Sequence, residues 1–91
     1  MLYLLCRNKV ADFQQWKRSF DSHANAHHEA GLYLLDIWRN LEDRHEVFFT
    51  FEVRDLNKAR AFISAPAAAA SAQAAGLLEG EYHFLESIRG Y

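Results

Sequence analysis

The sequence predicts an α+β fold of element order βαββαβ, a four-stranded antiparallel sheet with its helices on one face. Three observations carry this. Apolar runs over residues 2–7, 32–41, 46–53 and 82–89 read as strands, separated by two segments of helical period. The helical segments follow the first and third strands, so two right-handed βαβ crossovers fit the order and put both helices on the same side. Finally, 91 residues accommodate one domain, 1–91, and one core, well short of what a (β/α)₈ barrel needs. The arrangement expected is ferredoxin-like.

Composition narrows the function classes. The hydrophobic share is 51%, but fourteen residues are alanine, so bulky apolar content is ordinary, while 14% aromatic and 24% charged residues with one proline argue against disorder. A formal charge of -2 argues against general affinity for nucleic acid. Cys6 stands alone in an apolar run, so no intrachain disulfide forms and a small buried hydrophobe is expected there rather than a nucleophile. The apolar stretch Met1–Cys6 ends at Arg7, too early for a signal peptide, and no run approaches the ~18–20 apolar residues of a membrane span. A cytoplasmic protein with no membrane partner is expected.

Each element has its own local signal. Asp12 is a candidate N-cap with Gln15 three residues on, and Gly31 suits the far end. Between them Phe13, Trp16, Phe20, Ala24 and His27 fall within about a 90° arc at 100° per residue, which predicts one long amphipathic helix. Strands follow at Leu32–Leu41 and Glu46–Val53, joined by Glu42-Asp43-Arg44-His45. Asp55 caps a second helix, which Pro66 breaks after Ala65, and a short helix Ala67–Ala75 runs to Gly76. Tyr82–Arg89 is the last strand.

In the third strand Val47, Phe49, Phe51 and Val53 share one parity and Phe48 and Thr50 the other. In the second, Tyr33, Leu35, Ile37 and Leu41 oppose Leu32, Leu34, Asp36, Trp38 and Asn40. Two helices cover one face of such a sheet, leaving large apolar residues on the other. A second copy packed sheet to sheet is the simplest cover, so a homodimer is expected.

The pattern Val10-x-Asp12-Phe13-x-x-Trp16-x-x-x-Phe20-Asp21-x-His23, then Gly31, Glu46-Val47 and Asp55-Leu56-x-Lys58-Ala59-x-Ala61-Phe62, resembles the dimeric α+β barrel superfamily over nearly the whole chain. Within it the likeness is to small stand-alone proteins related to the antibiotic-biosynthesis monooxygenases. The resemblance implies the fold and a range of activities, from cofactor-free oxygenases and haem-degrading enzymes to isomerases, cyclases and stress proteins. One departure is that Ser64-Ala65-Pro66 leads into near-pure alanine, where similar proteins continue Ser-Pro-Glu. In haem-degrading relatives the iron ligand is expected to be a histidine of the second helical segment, and residues 55–76 contain none. No cofactor is expected.

His23 and His27 stand one helical turn apart and could reach one ligand. His23 is the candidate general base. His27 and His28 also fit a helix C-terminus, where the dipole favours imidazolium. A metal site needs further ligands that no motif supplies, though His83 or Asp36 could converge in space. Trp16, Phe20, Trp38 and Phe62 are either core or the walls of a pocket for a flat, largely apolar ligand. Asp36 interrupts an apolar strand on the parity of Trp38, and would either serve that pocket or pair with Arg39 or Arg7. Candidate substrate-binding residues are thus Trp16, Phe20, His27, Asp36, Trp38 and Phe62. The reading is a cofactor-independent monooxygenase, cyclase or isomerase acting on a small aromatic or polyketide-like compound. The alternative is a non-catalytic ligand-binding or stress-associated module.

Overall fold

The computed structural model describes residues 1–90. Its elements are β1 (Leu2–Val10), α1 (Phe13–Ser22), α2 (Ala24–Glu29), β2 (Leu32–Arg39), β3 (Glu46–Val53), α3 (Leu56–Ser64), α4 (Pro66–Ala74) and β4 (Leu77–Glu86). The strands form one antiparallel sheet in the order β2-β3-β1-β4, the ferredoxin-like arrangement.

Directly opposed residues of an antiparallel ladder share a face. Leu4 lies between Phe51 and Phe84, Cys6 between Phe49 and Tyr82, and Asn8 between Val47 and Gly80. This is the covered face: Leu4, Cys6, Val10, Val47, Phe49 and Phe51 are buried against Trp16 of α1, Ala59 of α3 and Ala75. The other face carries Tyr3, Leu5, Arg7 and Lys9 of β1, beside Glu52, Thr50, Phe48 and Glu46 of β3. Here Arg7 Nε meets Glu46 at 2.7 Å and Lys9 Nζ meets Asp43 at 2.8 Å. Those charges let β1 continue to Val10, beyond the apolar run 2–7.

The caps form as the sequence predicts. Asp12 accepts from the Gln15 N–H at 2.9 Å and Asp55 from the Lys58 N–H at 3.0 Å. Ala65, with ψ 140°, is extended ahead of Pro66, which opens α4. Gly31 has φ +73°, and a Cβ there would lie 2.8 Å from the Asp55 backbone nitrogen. Only glycine fits where α2 turns into β2 against the start of α3.

Four expectations change. The long helix predicted between Asp12 and Gly31 divides at His23 (φ -99°, ψ 11°), whose N–H bonds the Phe20 carbonyl at 3.1 Å. The freed Ser19 carbonyl is taken by the Ser22 hydroxyl at 2.7 Å, a local side-chain bond that competes with helix continuation. β2 stops at Arg39 because Asn40 turns the chain, its side chain accepting from the Glu42 N–H at 2.9 Å and donating to Glu46 at 2.8 Å. β4 spans 77–86 rather than 82–89, and a register shift leaves Leu78 extra beside the Val10–Leu77 pair. Leu77 to Glu81 lacks the alternation that marks a strand, because a bulge interrupts it.

The fourth change is a bulge in β2. Leu34 pairs with Phe51 and Asp36 with Thr50, leaving Leu35 extra. Parity inverts past that point: Ile37 joins the covered face opposite Phe49, while Asp36 and Trp38 turn to the open face. The shift puts an isoleucine into the core where unbroken alternation would have put a carboxylate. The open face therefore carries Leu5, Phe48, Trp38 and Leu85 as a partly exposed apolar area. No helix among the described residues is long and apolar enough to cross a membrane.

Candidate functional site

A cavity of about 690 Å³ lies between the covered face and the helices, within the size range of small-molecule sites. Side-chain length is its cause. α4 turns Ala68, Ser71, Ala72 and the adjoining Ala75 towards the sheet, at spacings of three and four residues. Methyl groups and one hydroxyl do not fill a helix–sheet layer that leucine or phenylalanine would fill. The C-terminal end of α4 is tied down instead by hydrogen bonds to its backbone carbonyls. Gln15 Nε2 donates to the Ala74 carbonyl at 3.1 Å, and the Ala11 N–H to the Gly76 carbonyl at 2.9 Å.

Aromatic rings build the opposite wall. Trp16 stacks on Phe20 with centroids 4.9 Å apart and leans on Phe49 at 5.5 Å. Asn8, buried at the end of β1, holds the indole. With its amide oriented by its bonds, the side-chain oxygen accepts from Trp16 Nε1 at 3.2 Å and the nitrogen donates to the Arg7 carbonyl at 3.0 Å. Phe62 of α3 closes one side, its ring edge-on to His27 at 5.7 Å.

Two histidines face this space. The break between α1 and α2 places the His23 ring so that Nδ1 lies 2.6 Å from the Ser19 carbonyl oxygen. A carbonyl only accepts, so Nδ1 carries the proton and Nε2 of the neutral ring is an acceptor. His27 sits among Phe20 at 5.0 Å, Phe51 at 5.2 Å and Phe62. Burial pushes its pKa down to about 4, and the nearby His23 and His28 push the same way. At neutral pH His27 is an uncharged imidazole, not the dipole-stabilised imidazolium that its place in the last turn of α2 suggests. His28 points elsewhere and stacks on Tyr33 at 4.8 Å.

Of the residues singled out from the sequence, Trp16, Phe20, His23, His27 and Phe62 line the cavity together. Asp36 and Trp38 do not, and both are corrected: the bulge at Leu35 puts them on the far side of the sheet. Asp36 accepts from the Ile37 N–H at 2.8 Å, and so pairs with neither Arg39 nor Arg7 in the described ion pairs. Asp36 and His83 stand in one cross-sheet row with Thr50 and Leu5 on the open face, so neither converges on His23. Among the described residues no group of three or more His, Cys, Asp or Glu could share a metal ion.

Sequence reasoning missed Asn8, Ser19 and Tyr82 as lining residues, while the uncharged segment 67–75, with Ser71, suits either a subunit boundary or a cavity wall by its sequence and takes the second place here. Asn8 was detectable, since it continues the parity of Leu4 and Cys6. Ser71 is the one hydroxyl in its alanine run. Tyr82 stands beside Cys6, and burial raises the pKa of both, so the thiol is protonated and unreactive.

No family model and no curated protein matches the chain. Solved structures do. A variant of SnoaB, a cofactor-independent oxygenase of Streptomyces nogalater, superposes with a TM-score of 0.74 at 14% identity, over 97% of this chain and 93% of that one. A candidate antibiotic biosynthesis monooxygenase of Bordetella bronchiseptica gives 0.74 at 8% identity, covering 96% of each chain. Another, from Deinococcus radiodurans, gives 0.69 at 11% identity over 100% of this chain and 96% of that one. Identities this low carry the fold and not the reaction. The chain thus has a ferredoxin-like fold, shared with solved proteins described as antibiotic biosynthesis monooxygenases.

Proposed function

We propose that the protein is a cofactor-independent enzyme of the monooxygenase, cyclase or isomerase type, with His23 as general base towards a small aromatic or polyketide-like compound. One observation carries this: the His23 imidazole lines a large apolar cavity with Nδ1 bonded to the Ser19 carbonyl and with no protein partner on Nε2 among the described residues. Removal of a proton beside a carbonyl, or from a phenol, is the opening step shared by oxygenation with molecular oxygen, aldol-type ring closure and double-bond migration. His23 Nε2 would take that proton, and the resulting imidazolium would strengthen its Nδ1–H bond to Ser19. Trp16, Phe20, His27 and Phe62 would hold the ring system. The fold shared with a cofactor-independent oxygenase supports the reading by analogy.

The test is a thermal-shift screen against aromatic and quinone-like metabolites, followed by product analysis and oxygen uptake on every compound that binds. Turnover that His23→Ala abolishes is expected. Ligands that bind without any turnover would favour the non-catalytic binding module.

We also infer that a second copy covers the open sheet face, making the protein a homodimer. Trp38 and Leu85 are 48% and 46% exposed there, next to half-buried Leu5 and Phe48. Large apolar residues left partly exposed on one face of a small sheet are a usual mark of an interface. The single buried thiol, Cys6, suits the cytoplasm, where we place the protein.

A further inference from the structure

We propose that α4 is a lid on the cavity, lifting from the sheet between hinges at Ala65 and Gly76 and latched shut by Gln15. Such a lid serves a catalytic pocket and a non-catalytic one alike.

The two halves of the second helical segment are seated differently. α3 starts on the Asp55 cap, buries Ala59 completely, and packs Leu56, Phe62 and Ile63 against the core. α4 has the same length, nine residues, yet none of the side chains of Pro66–Ala74 is buried, and Ala65 ahead of it offers no capping group. Alanine favours the helix while giving it almost nothing to pack with. Beneath α4 lies the cavity and not core, so lifting it forfeits few dispersion contacts.

Both ends are built to turn. At one, the single residue Ala65 is extended (φ -68°, ψ 140°) between two helices. At the other, Gly76 has φ +81°, while an added Cβ there would meet its nearest neighbour at an ordinary 3.6 Å. Backbone conformation rather than crowding therefore calls for glycine, the residue that crosses φ/ψ space most freely. Small residues at the ends of an element are common hinges.

The fastenings are all at the far end. Gln15 Nε2 donates to the Ala74 carbonyl and the Ala11 N–H to the Gly76 carbonyl, whereas residues 66–71 make no hydrogen bond beyond the segment 65–76 among the described residues. The Ala11 bond sits on the hinge and persists as the helix lifts. The Gln15 bond, made by an exposed side chain, has to break.

Native-state hydrogen exchange followed by NMR reads the lid directly. A nine-residue helix off its seat does not stay helical in water, so its amides exchange whenever α4 lifts. Relative to their unfolded rates, amides 70–75 should exchange about a hundredfold faster than amides 60–64 of α3, the worth of roughly one buried leucine or isoleucine. The α4 rates should stay flat at low denaturant, the mark of local opening. Gln15→Ala should speed them by about fivefold, the worth of one hydrogen bond. Ala72→Leu, which gives the helix a side chain to pack, should slow them by about tenfold or more. Trp16 reports access to the cavity, and in a Trp38→Phe background it is the one tryptophan left. Acrylamide quenching of its fluorescence should rise when Gln15→Ala is added. Circular dichroism and melting check each fold, and Gln15→Glu, which loses the donor, serves if the alanine variant does not fold. Protection of α4 equal to that of α3 overturns the lid, as do α4 rates that Ala72→Leu leaves unchanged. Rates that Gln15→Ala leaves unchanged overturn the latch. Faster exchange in Gln15→Ala with unchanged quenching means that α4 frays without exposing the cavity, and it too overturns the proposal.

Discussion

His23 Nδ1 donates to the carbonyl oxygen of Ser19 at 2.6 Å, a bond that exists because the helix breaks one residue after Ser22. In an unbroken helix the Ser19 carbonyl would be occupied by the His23 N–H, and the ring would have no fixed tautomer. Here the backbone N–H goes to Phe20 instead, and the ring is held with one nitrogen as acceptor.

Replacing His23 by alanine should leave the fold intact, because the Ser22 hydroxyl still occupies the Ser19 carbonyl. Any turnover found should fall on the order of 10²–10⁴-fold, the contribution of a positioned general base. His28→Ala, which lies outside the cavity and touches Tyr33, should change neither rate nor binding. Full activity in His23→Ala, measured on the same substrate, would remove the catalytic assignment.

Ala72→Leu tests whether α4 creates the cavity by being short-sided. The leucine side chain has room to extend between helix and sheet, so melting temperature should hold or rise while ligand binding is lost. A variant that binds as tightly as the wild type would show that the ligand sits elsewhere.

Trp16 is 3% exposed and holds Phe20, Phe49 and the Asn8 amide together. Truncation to alanine should cost about 3–5 kcal/mol in denaturant unfolding, the range for large aromatics in a core. A loss below about 1 kcal/mol, the cost of a surface change, would contradict the packing described.

His27 makes stability depend on pH with a definite sign. Its pKa falls from the ordinary histidine value of 6.5 to about 4 in the folded chain, so between those values the unfolded state binds more protons. Stability is then full above about pH 6.5 and falls as pH drops towards 4. Melting curves of wild type and His27→Phe across that window should diverge, the variant showing the shallower slope. Parallel curves would mean that His27 is not desolvated as its aromatic neighbours imply.

The homodimer is open to light scattering, which should return twice the 10.5 kDa chain mass at micromolar concentration. Phe48→Glu, on the open face opposite Trp38, should return the single-chain mass with the secondary structure unchanged. A wild-type mass of one chain would leave the open face without a partner.

By itself the sequence determined the features that depend on a few neighbouring residues. Asp12 and Asp55 cap helices, Pro66 separates α3 from α4, and Gly31 stands where only a positive φ fits, because caps, proline and glycine act through local sterics and hydrogen bonds. The order of elements followed from hydrophobic period, and the sheet topology from the handedness of crossovers. Tertiary structure decided the rest. Periodicity assigns Asp36 and Trp38 to the face of Leu34, and the extra residue Leu35 reverses this because pairing with β3 admits Ile37 to the core. The break at His23 likewise turns on which of two donors takes one carbonyl. The cavity depends on how far α4 stands from the sheet, set by the residues around its alanines. Contacts with residues distant in the chain settle the bulge and the cavity, whereas the break at His23 is settled by local bonds to the Ser19 and Phe20 carbonyls.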